Sequence, residues 1–88
     1  MSILVETQKG EIFQIQSIYL TTNRLTDREE TLWIIYGKLF SIKQNNFEVE
    51  LGSYFDRDLA FRLFTKLQDT FETPRKFNEI GLVKMPIA

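Results

Sequence analysis

Asp56-Arg-Asp-Leu-Ala-Phe-Arg-Leu-Phe-Thr-Lys-Leu-Gln-Asp-Thr-Phe-Glu72 is the stretch of this chain with helical period. Ala60, Leu63, Phe64, Leu67 and Phe71 recur at steps of three and four, and Leu59 and Phe61 widen the stripe. Arg57, Asp58, Arg62, Thr65, Lys66 and Asp69 fall largely on the other side, with Asp58 and Arg62 spaced to pair across one turn. Asp56 is the expected N-cap, because its carboxylate can accept from the open amides of the first turn and suits the positive end of the helix dipole. Ser53, three residues earlier, is a competing start. Thr73-Pro74 ends the helix, since the residue before proline is pushed out of helical backbone. A stripe this wide needs a surface to cover it, and everything upstream reads as strand.

Working back from the helix, Phe47, Val49 and Leu51 alternate with Glu48 and Glu50, giving a strand with one dry and one wet face. Gln44-Asn45-Asn46 precedes it as a turn. Leu32-Trp-Ile-Ile-Tyr36 is an apolar run of strand formers suited to the middle of a sheet. Gly37-Lys38 offers a two-residue turn after it, with Leu39 to Lys43 returning antiparallel; the alternative is one long strand kinked at Gly37. Thr21 to Thr31 is polar, charged and without period, so a long surface loop is expected there. From Ile12 to Leu20 the inward positions step from Phe13 and Ile15 to Ile18 and Leu20, an odd interval that demands a bulge or bend near Gln16-Ser17. Ile3 to Thr7 pairs with this segment as a hairpin across Gln8-Lys9-Gly10.

After the helix, Phe77, Ile80, Leu82, Val83, Met85 and Ile87 make an apolar tail in which Val83, Met85 and Ile87 alternate, so a last extended piece is expected near Pro86. The tail either lies on the edge of its own sheet or docks on a partner by strand addition. The expected architecture is α+β: a curved antiparallel sheet or split barrel of about five strands, packed by one C-terminal helix at residues 56–72. Residues 1–73 form a single domain and 74–88 a partly extended C-terminal extension.

Composition narrows the function. With eight Phe, three Tyr and one Trp in 88 residues, one compact core is attainable without a staple. The chain has neither Cys nor His, which removes thiolate and imidazole nucleophiles, bases and metal ligands together. Carboxylates and lysines form no recognisable catalytic pair, so no enzyme and no cofactor is expected. Asp27, Glu29 and Glu30 lack the spacing of a calcium loop, and the four glycines are isolated, so no loop cradles phosphate. Met1 to Glu6 has no basic region or long apolar run, and no run approaches the roughly eighteen residues of a membrane span. The expectation is a soluble, cytoplasmic protein with no membrane partner.

Two readings of partner remain. The first is a non-catalytic protein-interaction module, binding a protein or a second copy through a sheet edge and the tail residues Phe77, Ile80, Leu82, Val83, Met85 and Ile87. The second is single-stranded nucleic acid, stacked on Trp33 and Tyr36 beside Lys38 and Lys43. A net charge of −1 argues against the second, because dedicated binders carry a basic footprint. Arg75 and Lys76 form an adjacent basic pair, which suits a helix C-terminus.

The order of strands followed by a closing helix resembles the pleckstrin-homology-like superfold over roughly residues 3 to 72. The resemblance implies a helix plugging one end of a split barrel; the basic first turn of the lipid-binding versions is represented here by Lys9 alone, so phosphoinositide binding is not carried over. The run Leu51-Gly-Ser-Tyr-Phe-Asp-Arg-Asp-Leu-Ala-Phe-Arg-Leu-Phe64 is similar to the strand-to-helix junction of many short uncharacterised bacterial and phage proteins, which imply a fold and no activity.

Overall fold

The computed structural model describes residues 3–39, 47–72 and 82–87. In chain order they form β1 (Ile3–Glu6), β2 (Ile12–Ile15), β3 (Ser17–Leu25), β4 (Glu30–Leu39), β5 (Phe47–Tyr54), α1 (Arg57–Glu72) and β6 (Leu82–Lys84). The class is α+β, as the periodicities predict. The single curved sheet or split barrel of about five strands is corrected: six strands make two small sheets, neither closed, ordered β2-β1-β6 (sheet A) and β3-β4-β5 (sheet B), and α1 packs on sheet B.

The bend expected near Gln16 is the cause. Ile15 and Ile18 are three residues apart and would face opposite ways on a straight strand. The chain turns at Gln16, whose amide donates to the Lys38 carbonyl at 2.9 Å, and Phe13, Ile15, Ile18 and Leu20 all reach the same core. The turn is sharp enough that β2 pairs with β1 while β3 pairs with β4, so one long extended run serves both sheets. The β1–β2 hairpin is present as expected, with Gly10 at φ 86° in its turn.

Two expected connections are replaced by strand. The loop from Thr21 to Thr31 is corrected to a hairpin: β3 continues to Leu25, β4 begins at Glu30, and Thr26 to Glu29 make the turn. Polarity there reflects an edge strand rather than a loop, because β-branched Thr21 and Thr22 suit extended backbone and Asn23 and Arg24 face water. The turn at Gly37-Lys38 gives way to its stated alternative, one long strand, since β4 runs on to Leu39 with Gly37 between Ile18 and Val49. Glycine is required there by close approach: a Cβ at Gly37 would stand 2.8 Å from Cδ1 of Ile15. The expected central position of Leu32 to Tyr36 holds, with β4 in the middle of sheet B.

Pairing of β4 with β5 slips by one residue between Ile35 and Tyr36, which oppose Gly52 and Glu50, leaving Leu51 as a bulge. The slip reverses the facing of the residues beyond it, so Val49 and Leu51 turn inward before it and Tyr54 after it. The Tyr54 ring then lies against Gly52, where a Cβ would stand 2.6 Å from the phenol oxygen.

Helix α1 starts as the cap predicts: Oδ1 of Asp56 accepts from the amides of Asp58 at 2.9 Å and Leu59 at 3.2 Å, while Ser53 is inside β5. Ala60 and Leu67 are buried, and Leu59, Leu63, Phe64 and Phe71 pack around them. Asp58 and Arg62 do not pair; the ion pair among the described residues joins Lys84 to Glu6 at 3.6 Å. The core draws on both sheets, the helix and the tail: Ile3, Val5, Ile15, Ile35, Leu51, Tyr54, Ala60, Leu67 and Met85. Among the described residues no helix is long and apolar enough to cross a membrane. The turn expected at residues 44–46, the helix stop at Thr73-Pro74 and the Arg75-Lys76 pair lie outside the described residues.

Candidate interaction surfaces

The tail returns to sheet A as β6, parallel to β1, with Leu4 opposite Leu82, Val5 opposite Val83 and Glu6 opposite Lys84. The amide of Met85 extends the ladder to the Glu6 carbonyl at 2.9 Å. Strand period sends Val83 and Met85 inward, where Met85 is 2% exposed, and leaves Leu82 45% exposed; Ile87, past the end of β6, departs from that alternation and is 85% exposed. Of the tail residues singled out in the sequence, Val83 and Met85 therefore belong to the core and Leu82 and Ile87 face water; Phe77 and Ile80 lie outside the described residues.

Across sheet A, Gln14, Leu4 and Leu82 form one row and Ile12, Glu6 and Lys84 the next. The outward face thus carries Leu4, Leu82 and exposed Ile12 around the Glu6–Lys84 ion pair. Sequence reasoning passed over Ile12. Its signal was alternation with Phe13 and Ile15, which fixes it on the side away from the core.

The tail is also anchored to the other sheet. The Gln8 amide donates from Nε2 to the carbonyls of Ser53 at 3.2 Å and Pro86 at 3.1 Å, and its Oε1 accepts from the Ser53 amide at 2.8 Å. The Gln8 backbone donates to the Leu51 carbonyl at 3.0 Å. The Tyr54 hydroxyl donates to the Pro86 carbonyl at 2.9 Å. Burial pushes the Tyr54 hydroxyl up to about 12, with the adjacent Gln8 amide partly opposing it.

On sheet B, Trp33 and Tyr36 do not share a platform. Three residues apart on one strand, they take opposite faces. Trp33 sits on the helix side, its ring 5.5 Å from that of Phe61, with the Arg57 guanidinium 5.9 Å and 5.2 Å from the two ring centres. Tyr36 lies on the outer face and stacks on Tyr19 at 5.3 Å. Lys38 is 5.5 Å from the Tyr19 ring, whose hydroxyl donates to Glu48 Oε2 at 2.8 Å. That hydrogen bond to a carboxylate holds the Tyr19 hydroxyl above its ordinary range. Glu48 and Glu50 share the face with Lys38, so its charge is mixed. Lys43 lies outside the described residues.

Among the described residues no group of three or more acidic side chains gathers to hold a metal. Compared with protein-family models, curated proteins and solved structures, the chain matches none.

Proposed function

We propose that this chain is a non-catalytic protein-interaction module whose binding surface is the tail edge of sheet A. The supporting observation is the exposure of Leu82 and Ile87 on and beside an outermost strand, next to Leu4 and Ile12. Burying a leucine or isoleucine side chain contributes about 1.5–3 kcal/mol, so the exposed side chains, rather than the backbone of the three-residue strand β6, carry the contact. The partner is a protein, or a second copy, presenting an apolar patch to these side chains in the cytoplasm.

Affinity recovery from a native extract tests the proposal with the full chain and a Leu82→Lys, Ile87→Lys double variant side by side. Proteins held by the first and lost by the second support it; identical profiles overturn it. The stacked Tyr19–Tyr36 pair beside Lys38 is what supports the alternative, single-stranded nucleic acid. Its test is titration with a single-stranded oligonucleotide at low and moderate salt, because phosphate contacts weaken steeply as salt rises.

A further inference from the structure

Among the described residues, the four outermost strands of the two sheets are not alike. In sheet A, β6 is three residues long, carries Lys84 and is followed by Pro86, while β2 is four residues long and ends at the Gln16 bend. In sheet B, β5 carries Glu48 and Glu50, has the bulge at Leu51, and from that point is bonded by Gln8. Short length, charge, proline, bulges and cover are the devices by which an edge is kept from pairing with another chain. The remaining edge, β3, is nine residues of Ser-Ile-Tyr-Leu-Thr-Thr-Asn-Arg-Leu with no proline, no glycine and one charge, Arg24.

That sequence is also compatible with itself. In an antiparallel pair centred on Thr21, every residue from Ser17 to Leu25 finds a partner in the second copy. Thr21 meets Thr21, Tyr19 meets Asn23, Leu20 meets Thr22, and Arg24 meets Ile18 rather than another arginine. The threonine pair at the axis favours the ladder, and no like charges oppose. A two-fold contact needs such a self-complementary patch.

We propose that two copies of this chain associate through β3, antiparallel about a two-fold axis near Thr21, joining their B sheets into one six-stranded sheet. The contact is separate from the tail edge and does not depend on it. Nine residues paired edge to edge make a small interface, so dissociation in the range of about 1 μM to 1 mM is expected.

Sedimentation equilibrium on the full chain up to about 1 mM tests this, together with Thr21→Lys and Thr21→Glu variants. Each variant sets like charges against each other at the axis and should be monomeric where the original chain is dimeric. An equimolar mixture of the two should recover a dimer, of mixed mass by native mass spectrometry. A monomeric original chain at about 1 mM, a dimer that survives in both variants, or a mixture that stays monomeric each overturns the inference. Should both variants misfold, hydrogen exchange of the original chain decides. The β3 amides that do not bond β4 should slow with rising protein concentration, and rates independent of concentration overturn the inference. A dimer lost only in the Leu82→Lys, Ile87→Lys variant would assign self-association to the tail edge and overturn the β3 contact.

Discussion

Among the described residues, Glu29 is the non-glycine most at odds with its own backbone. It closes the β3–β4 turn at φ 53°, in the left-handed region where a side chain with Cβ costs about 1–2 kcal/mol relative to its ordinary conformation. The turn requires it: the Arg28 amide donates to the Leu25 carbonyl at 3.2 Å, and the next residue must bend back to bring Glu30 opposite Leu25. Glycine relieves the strain but gains more freedom in the unfolded chain, which offsets up to about 1 kcal/mol. Glu29→Gly is therefore expected to stabilise by up to about 1 kcal/mol, with a rise in melting temperature of roughly 4–8 °C per kcal/mol. Arg28→Gly, at a position without positive φ, should destabilise instead. Thermal unfolding of the pair checks the assignment, and equal shifts in the same direction would refute it.

At the scale of elements, the bulge at Leu51 decides what β5 contributes. It lets Leu51 and Tyr54 both enter the core, and it sets the Tyr54 ring against a bare Gly52. Gly52→Ala is expected to destabilise by about 1–3 kcal/mol, because the ring it meets is buried and held by its hydrogen bond to Pro86. Gly37→Ala meets Cδ1, Cγ2 and Cγ1 of Ile15 at 2.8, 3.0 and 3.2 Å, and that β-branched side chain is fully buried, so a comparable cost in urea unfolding is expected. The helix, its Asp56 cap, the first hairpin and the extended tail were legible because each shows in local period or local chemistry. The bend at Gln16 was legible too, as an odd interval between inward residues. What was not legible had two physical causes. An edge strand with a wet rim, Thr21 to Leu25, has the polarity of a loop, and a bulge breaks the very alternation by which Tyr54 would have been counted as core. The separation of Trp33 from Tyr36 could have been read: three positions along one strand are always opposite faces.

For the whole molecule, the Tyr54 hydroxyl is where sheet B, the β1–β2 turn through Gln8 and the tail at Pro86 meet, so its protonation reports on the assembled fold. Burial raises it to about 12 from an ordinary value of 10.0. Below pH 10 both folded and unfolded chains keep the proton, and this group gives no pH dependence. Between about 10 and 12 the unfolded chain loses the proton while the folded chain retains it, so the unfolded state binds fewer protons and stability falls as pH rises. The fall amounts to about 1.4 kcal/mol per pH unit at its steepest and about 3 kcal/mol in all. Tyr19, raised by Glu48, acts in the same direction, which is why the original chain must be compared with Tyr54→Phe rather than judged alone. At neutral pH the variant loses one hydrogen bond, for about 1 kcal/mol. Urea unfolding from pH 8 to 12 should then bring the two curves together and reverse their order as pH rises, since the variant lacks the group that ionises on unfolding. Parallel curves across that range would mean that Tyr54 ionises as readily in the folded chain as in the unfolded one, and that its ring is open to water where the tail meets the two sheets.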